Sequence, residues 1–338
     1  MKKIYLSISA SLLCGTLLMA QAPANRTTQT IIADAVAQMP AETQKKYDKL
    51  IADLVSTGEA GVQSLVDMIQ APGKGNNAQV EYALSGLSHY VMAQGQESAR
   101  LITARAYIKA LESVQERETK ALIIRQLQIV GKDEAVQPLS AYLNTDALSG
   151  PAARALATIN TPDAAAALKS SLMRRMGTPV TQRDAVMAIG EAQMTGMTDL
   201  IRPFLTAPDE NLKRAAFYAI SRTGTVSSLN ELGAAAKAVG FQMENTGANE
   251  AYITLLKRVA TSDAKIAEKA AAILLKDATK AGATQTRIAA LQILMSVKKE
   301  DATKLVLAAL KDTDKEYRNA ALNFASDYAA QQDYVDRP

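Results

Sequence analysis

The chain has 338 residues, with 38 lysines and arginines against 34 aspartates and glutamates, one histidine, one cysteine and no tryptophan. A formal charge of +4 and only four phenylalanines exclude the basic, aromatic-rich footprint of a nucleic-acid binder. A single cysteine excludes both a disulfide framework and a thiolate metal site.

Residues 1–20 read as a secretory signal peptide. Lys2 and Lys3 precede the apolar run Ile4 to Met19, and Leu18-Met19-Ala20 places a small residue before Gln21. The run is too short and wrongly flanked for a membrane span, so cleavage is expected after Ala20 and the protein is expected in the periplasm or outside the cell. A cut after Ala22 would leave Pro23 first. Cys14 lies inside this segment. Leu13 before it is not the small residue that lipid modification requires, so Cys14 counts as one more apolar residue. Loss of Lys2 and Lys3 brings the charge from +4 to +2, and no later stretch approaches the length of a membrane span. Residues 21–41 follow as an N-terminal segment and first helix, 42–330 as a repeat array, and 331–338 as a tail.

The array is visible as one recurring frame. Arg183-x-Ala185-Val186-x-x-Ile189, Arg214-x-Ala216-Phe217-x-x-Ile220, Arg287-x-Ala289-Ala290-x-x-Ile293 and Arg318-x-Ala320-Ala321-x-x-Phe324 share it. It recurs without the arginine at Ala83, Ala155 and Ala251, and in a weaker copy at Ala121, where Ile124 or Leu127 supplies the later contact. These eight alanines are 30 to 38 residues apart. In each copy the alanine, its neighbour and the residue four after it share one helix face. A second amphipathic stretch precedes each copy, as in Val136 to Leu143, Leu200 to Leu205 and Leu305 to Leu310. The turns between are Asn144-Thr145-Asp146, Ala207-Pro208-Asp209 and Asp312-Thr313-Asp314. The pattern predicts eight helix pairs, each burying its inner face only by stacking on the next. No alternating strand pattern competes with it.

With Pro203, the Pro208-Asp209 turn, Arg214, Ala215-Ala216 and Gly224 in place, the segment Leu200 to Gly224 resembles a HEAT repeat, one of the armadillo-like α-solenoids. The resemblance spans roughly residues 42–330. It implies an all-α fold, a right-handed α-α superhelix of about eight pairs with the second helices lining the concave side. Asp312 and Arg318 are similar to the aspartate–arginine pair that forms a polar ladder in that family. Departures are the missing arginine in the first two repeats, the long loop Ala71 to Asn77, and the insertion Gly240 to Gly247. Tetratricopeptide repeats fit less well, since their Trp and Gly-Tyr positions are absent.

Candidate chemistry is sparse. Ser88 and His89 are adjacent, so on a helix they point about 100° apart and do not make a nucleophile–base pair. Gly73-Lys74-Gly75 lacks the rest of a phosphate-binding loop. Asp-rich turns such as Asp312-Thr313-Asp314 lack a calcium loop's ligand count and read as helix N-caps. Arg183, Arg214, Arg287 and Arg318 share one repeat position. They are expected to form a structural ladder with Asp209, Asp312 and loop carbonyls, the alternative being an anion-binding stripe. Binding is expected at the groove, through His89, Glu191, Arg222 and Lys257, with Tyr218 at its edge. Mixed charges with an aromatic suit a protein or peptide partner. The expected function is a binding scaffold, not an enzyme, with no cofactor. The alternative is a non-catalytic helper region of a larger exported enzyme, by similarity to proteins that join such arrays to a C-terminal sugar-acting sandwich domain. No polar capping repeat follows the last helix near Tyr328 to cover its apolar face.

Overall fold

The computed structural model describes residues 26–71, 73–173, 177–298 and 302–335, with side chains described as far as residue 326. The leader assigned to residues 1–20, its cleavage point and Cys14 lie outside the described residues, as does the side chain of Tyr328.

Among the described residues the chain is all-α, with 18 α-helices and no strand. The first six are α1 (Thr28–Ala37), α2 (Gln44–Ser56), α3 (Gly58–Asp67), α4 (Ala78–Tyr90), α5 (Glu97–Ser113) and α6 (Arg117–Val130). Next come α7 (Asp133–Ser140), α8 (Ser149–Ile159), α9 (Pro162–Met173), α10 (Pro179–Glu191), α11 (Thr198–Ile201) and α12 (Glu210–Thr223). The chain continues through α13 (Leu229–Ala238), α14 (Ala248–Ser262), α15 (Ala264–Lys280), α16 (Thr284–Lys298), α17 (Thr303–Ala309) and α18 (Lys315–Val335). The eight recurring alanines fall on the eight even-numbered helices from α4 to α18. α1 and α2 stack on the front of this series as a further pair, α1 touching α3 and α4, and α2 touching α3 and α4. The helix α18 runs on through Ala329, Ala330, Gln331 and Gln332, all good helix formers, past residue 330 where the array was expected to end.

Contacts follow the chain closely. Even-numbered helices touch in an unbroken series from α2 to α18, and odd-numbered helices do so from α1 to α11. Beyond α11, the odd-numbered helices rest chiefly on their even-numbered partners. One buried cluster extends from Ile32 to Leu294, and a second, around Leu291, Val306, Tyr317 and Ala321, seals the last two pairs. The alanine frame explains the close stacking. Ala83, Ala155, Ala185, Ala216 and Ala251 are buried, and a small side chain there lets neighbouring helices approach. On α6, α16 and α18 the frame rotates slightly. There Ala121, Ala289 and Ala320 are half-buried, while Leu122, Ala290 and Ala321 take the inner position.

Local chemistry sets the helix ends. Thr27, Thr43, Thr178, Asp209 and Asp263 accept from main-chain N–H groups in the first turns of α1, α2, α10, α12 and α15. Asp314 caps α18 in the same way, accepting from Glu316 and Tyr317. Pro203 cannot donate to a helix, so after Ile201 the chain tightens into a 3-10 turn over Arg202–Thr206. The insertion from Gly240 to Gly247 is anchored at both ends. Phe241, with φ 58°, plugs the core at 6% exposure, and its carbonyl accepts from Thr286. The Glu244 carboxylate accepts from the Thr246 N–H and hydroxyl and from the Ala248 N–H. Burial pushes the Glu244 pKa up, but those hydrogen bonds outweigh it and hold the pKa below its ordinary value. The loop before α4 closes differently: the Asn77 side chain both donates to the Gln70 carbonyl and accepts from its N–H.

Candidate binding site

Even-numbered helices bury one face and expose the other, and α10, α12 and α14 carry most of the residues singled out above. On α12 the residues Arg214, Tyr218 and Arg222 are four apart. At 3.6 residues per turn they lie within about 80° of one another around the helix. Close approach of α10 positions them. A Cβ on Gly190 would sit 2.8 Å from Ala219 Cα and 3.1 Å from the Tyr218 ring, so the absence of a side chain there lets α12 lie against α10. Arg222 Nε–H then donates to the Gly190 carbonyl at 3.0 Å, and the guanidinium stacks 5.3 Å from the centre of the Tyr218 ring. Gly190 belongs to the last turn of α10, where its carbonyl also accepts from the Gln193 N–H at 3.2 Å, and Arg222 adds a cationic donor at the negative end of its neighbour.

The next helix repeats the device. One terminal nitrogen of Arg258 donates to the carbonyls of Ser221 (2.9 Å) and Gly224 (3.1 Å) at the end of α12. Burial, and after it the nearby Arg222 charge, lower the Arg258 pKa. Lys257 beside it is exposed. At the other end of α12, Arg214 Nε–H donates to the carbonyl of Asn245 in the braced insertion loop. A groove of about 310 Å³ opens there, lined by Arg154, Arg183, Asp184, Glu191 and Arg214 among others. A larger groove of about 680 Å³ lies between α9 and the Pro203 turn, lined largely by apolar groups such as Leu172, Leu200 and Phe204.

The structure therefore places Glu191, Tyr218, Arg222 and Lys257 on three even-numbered helices that pack in series, α10, α12 and α14. It does not bring His89 to them: His89 is exposed on α4. Ser88, its neighbour, is fully buried and bonds Tyr107 (3.0 Å) and Gln126 (2.8 Å), a polar knot joining α4, α5 and α6.

The expected ladder is reshaped. Arg287 reaches from α16 into the following turn, meets both Asp312 and Asp314, and stacks 4.1 Å from the Tyr317 ring centre. Arg318 does not meet the Asp312 carboxylate, which Arg287 occupies; it donates to the carbonyls of Asp312 (2.6 Å) and Thr313 (2.9 Å). Among the described residues Asp209 meets no arginine; its Oδ1 accepts from the Leu212 N–H as a cap at 2.7 Å. Arg183 pairs with its own neighbour Asp184 at 2.7 Å, and Asp184 also accepts from Ser149 on α8. Links between successive turns come from Thr178 to Asp146 and from Thr284 to Asp314.

Sequence reasoning missed Gly190, Arg258 and the Asn245 carbonyl. Arg258 stands seven residues after its repeat alanine, whereas Arg222 stands six after, so the frame does not align them. Among the described residues no group of three His, Cys, Asp or Glu side chains is placed to hold a metal, and no helix is long and apolar enough to cross a membrane. Compared with known proteins, the chain matches no protein-family model and no curated relative.

Proposed function

We propose that the chain is an exported, HEAT-like α-solenoid that binds a protein or peptide on the exposed face of its even-numbered helices. The observation that carries this reading is that Glu191, Tyr218, Arg222 and Lys257 are exposed or half-exposed on α10, α12 and α14, three even-numbered helices that pack in series. Charges of both signs around an aromatic ring suit a protein surface, where rigid aromatic and arginine side chains anchor binding. The unbroken even-numbered series supports a stacked solenoid, and the proposal takes it as a right-handed superhelix with that face on its concave side. Residues 1–20 support export to the periplasm or beyond. No catalytic role and no cofactor form part of the proposal.

Photo-reactive residues at positions 191 and 257 test it, with positions 169 on α9 and 265 on α15 as controls. In an extract of the cell envelope the first two positions are expected to cross-link one common protein and the controls none. Equal labelling from all four, or no adduct, overturns the reading. A second reading, a helper region of a larger exported enzyme, is favoured by Leu307 on α17, Leu310 just after it and Leu322 on α18, exposed at 55%, 37% and 58%. Mass measurement of the protein from its own cells decides it, since a mass equal to this chain or its processed form rules the helper out.

A further inference from the structure

Arginines in this protein are held in two ways. Arg26, Arg100, Arg202 and Arg287 each meet two carboxylates. Arg214, Arg222 and Arg258 meet none among the described residues and bond main-chain carbonyls instead. Arg214 and Arg222 each use only the Nε–H for this. Both terminal nitrogens stay open, and these form the edge that grips a carboxylate with two parallel hydrogen bonds. Orienting the fork before a ligand arrives also reduces the ordering cost of binding.

The spacing of the two arginines along α12 selects a shape of ligand. Eight residues of α-helix separate Arg214 from Arg222 by about 12 Å. An extended chain advances about 3.3 Å per residue and returns a side chain to the same face every second residue. Two side chains about four residues apart therefore match that axial interval, and the side chain midway between them is level with Tyr218. That ring is half-buried and already fixed between Gly190 and the Arg222 guanidinium. Two carboxylates share the neighbourhood. Asp184 is engaged by Arg183 and Ser149, and Glu191 makes no ion pair among the described residues; both belong to α10. Lys257 and Arg258 on α14 add positive charge on the opposite side, so an acidic segment is favoured toward α14.

We propose that α12 receives an extended acidic peptide whose two carboxylates, about four residues apart, are gripped end-on by Arg214 and Arg222, with the intervening side chain packed on Tyr218. The proposal rests on the scaffold reading and adds the chemistry of the ligand. A peptide is favoured over an anionic glycan or polyphosphate because the face offers two forks at a fixed interval around an aromatic platform, not a continuous cationic track.

Fluorescence anisotropy with the full chain tests this, using labelled Gly/Ser-rich peptides that carry two glutamates and a central leucine. The peptide with glutamates four apart is expected to bind about tenfold or more tightly than its glutamine counterpart or one with adjacent glutamates. Arg214→Gln and Arg222→Gln are each expected to weaken it about tenfold, and lysine at either position to restore little, since lysine lacks the fork. Thermal melts close to wild type establish that these variants remain folded. Equal binding of the glutamate and glutamine peptides, indifference to spacing, or no binding at all overturns the proposal. So does a sulfated oligosaccharide or polyphosphate that binds more tightly and displaces the peptide. If these peptides fail while positions 191 and 257 still cross-link a protein, the scaffold stands and the acidic-ligand chemistry falls.

Discussion

The junction between α16 and α18 and the junction between α12 and α14 start from the same repeat position and end differently. Arg287 finds Asp312 and Asp314 in the turn ahead of it, and the turn saturates its charge. Arg214 faces the insertion loop, whose only acid, Glu244, is turned inward to brace Thr246 and Ala248; the loop offers Arg214 the carbonyl of Asn245. One arginine is thereby locked into the structure, and the other keeps a charge to share. The repeat frame alone does not decide which; the loop that follows does.

The sharpest way to break this contrast is Arg287→Met. Removing a nearly buried guanidinium leaves two carboxylates without a counter-charge and Tyr317 without its stacking partner, at a cost of about 3 kcal/mol. Hydrogen exchange should locate the loss in α17 and α18. Arg214→Met should cost below about 1 kcal/mol, since it removes one exposed hydrogen bond. Equal losses for the two would erase the distinction.

Acid titration examines the same junction. The Asp312 pKa is lowered first by the Asp314 main-chain N–H, and by Arg287 after it. The Asp314 pKa is lowered first by the Thr284 hydroxyl. Carboxyls with depressed folded pKa values stabilise above their unfolded value near 3.8, and that stability disappears as pH falls through the folded value. Protection of α17 and α18 should therefore fall below about pH 4 in the wild type. Arg287→Met should fall less steeply yet keep part of the slope, because N–H and hydroxyl donors remain.

Gly190→Ala is expected to have the next largest effect, a net loss of about 1 kcal/mol by urea unfolding. The gain of about 1 kcal/mol in helix propensity is outweighed by a contact with Ala219 backbone that cannot move aside. Acidic-peptide affinity should fall with it, as Tyr218 and Arg222 shift. The smallest effect belongs to Asn245→Asp, which gives Arg214 a carboxylate of its own. An exposed pair adds under about 1 kcal/mol of stability, yet the peptide should weaken several-fold as one fork becomes occupied. Unchanged affinity would mean that Arg214 does not contact the ligand.

Much of the fold was legible because the alanine frame reports helix–helix approach, a property carried by side chains. It placed eight helices correctly and even flagged α6 as atypical, where Arg125 at the expected apolar position is exposed and Ile124 and Leu127 are buried. The site was legible only in part. Tyr218, Arg222 and Lys257 could be found by counting from the alanine, but their partners are main-chain carbonyls, which every residue possesses and no pattern marks. Gly190 looked like one small residue among many until its distance to Ala219 was known. Asp209 shows the opposite ambiguity: an aspartate before a helix serves equally as cap or ion-pair partner, and the cap is local whereas the pair depends on the neighbouring turn.

The shortness of the contacts along the chain also has a kinetic meaning. Apart from α1 meeting α4, no substantial helix contact skips more than one helix. Little chain entropy is lost in bringing such near neighbours together, so assembly can begin at any well-matched pair and spread outward step by step. The order of events is then set by local strength. The Ser88–Tyr107–Gln126 knot, buried among three consecutive helices, is a natural place for the growing stack to start.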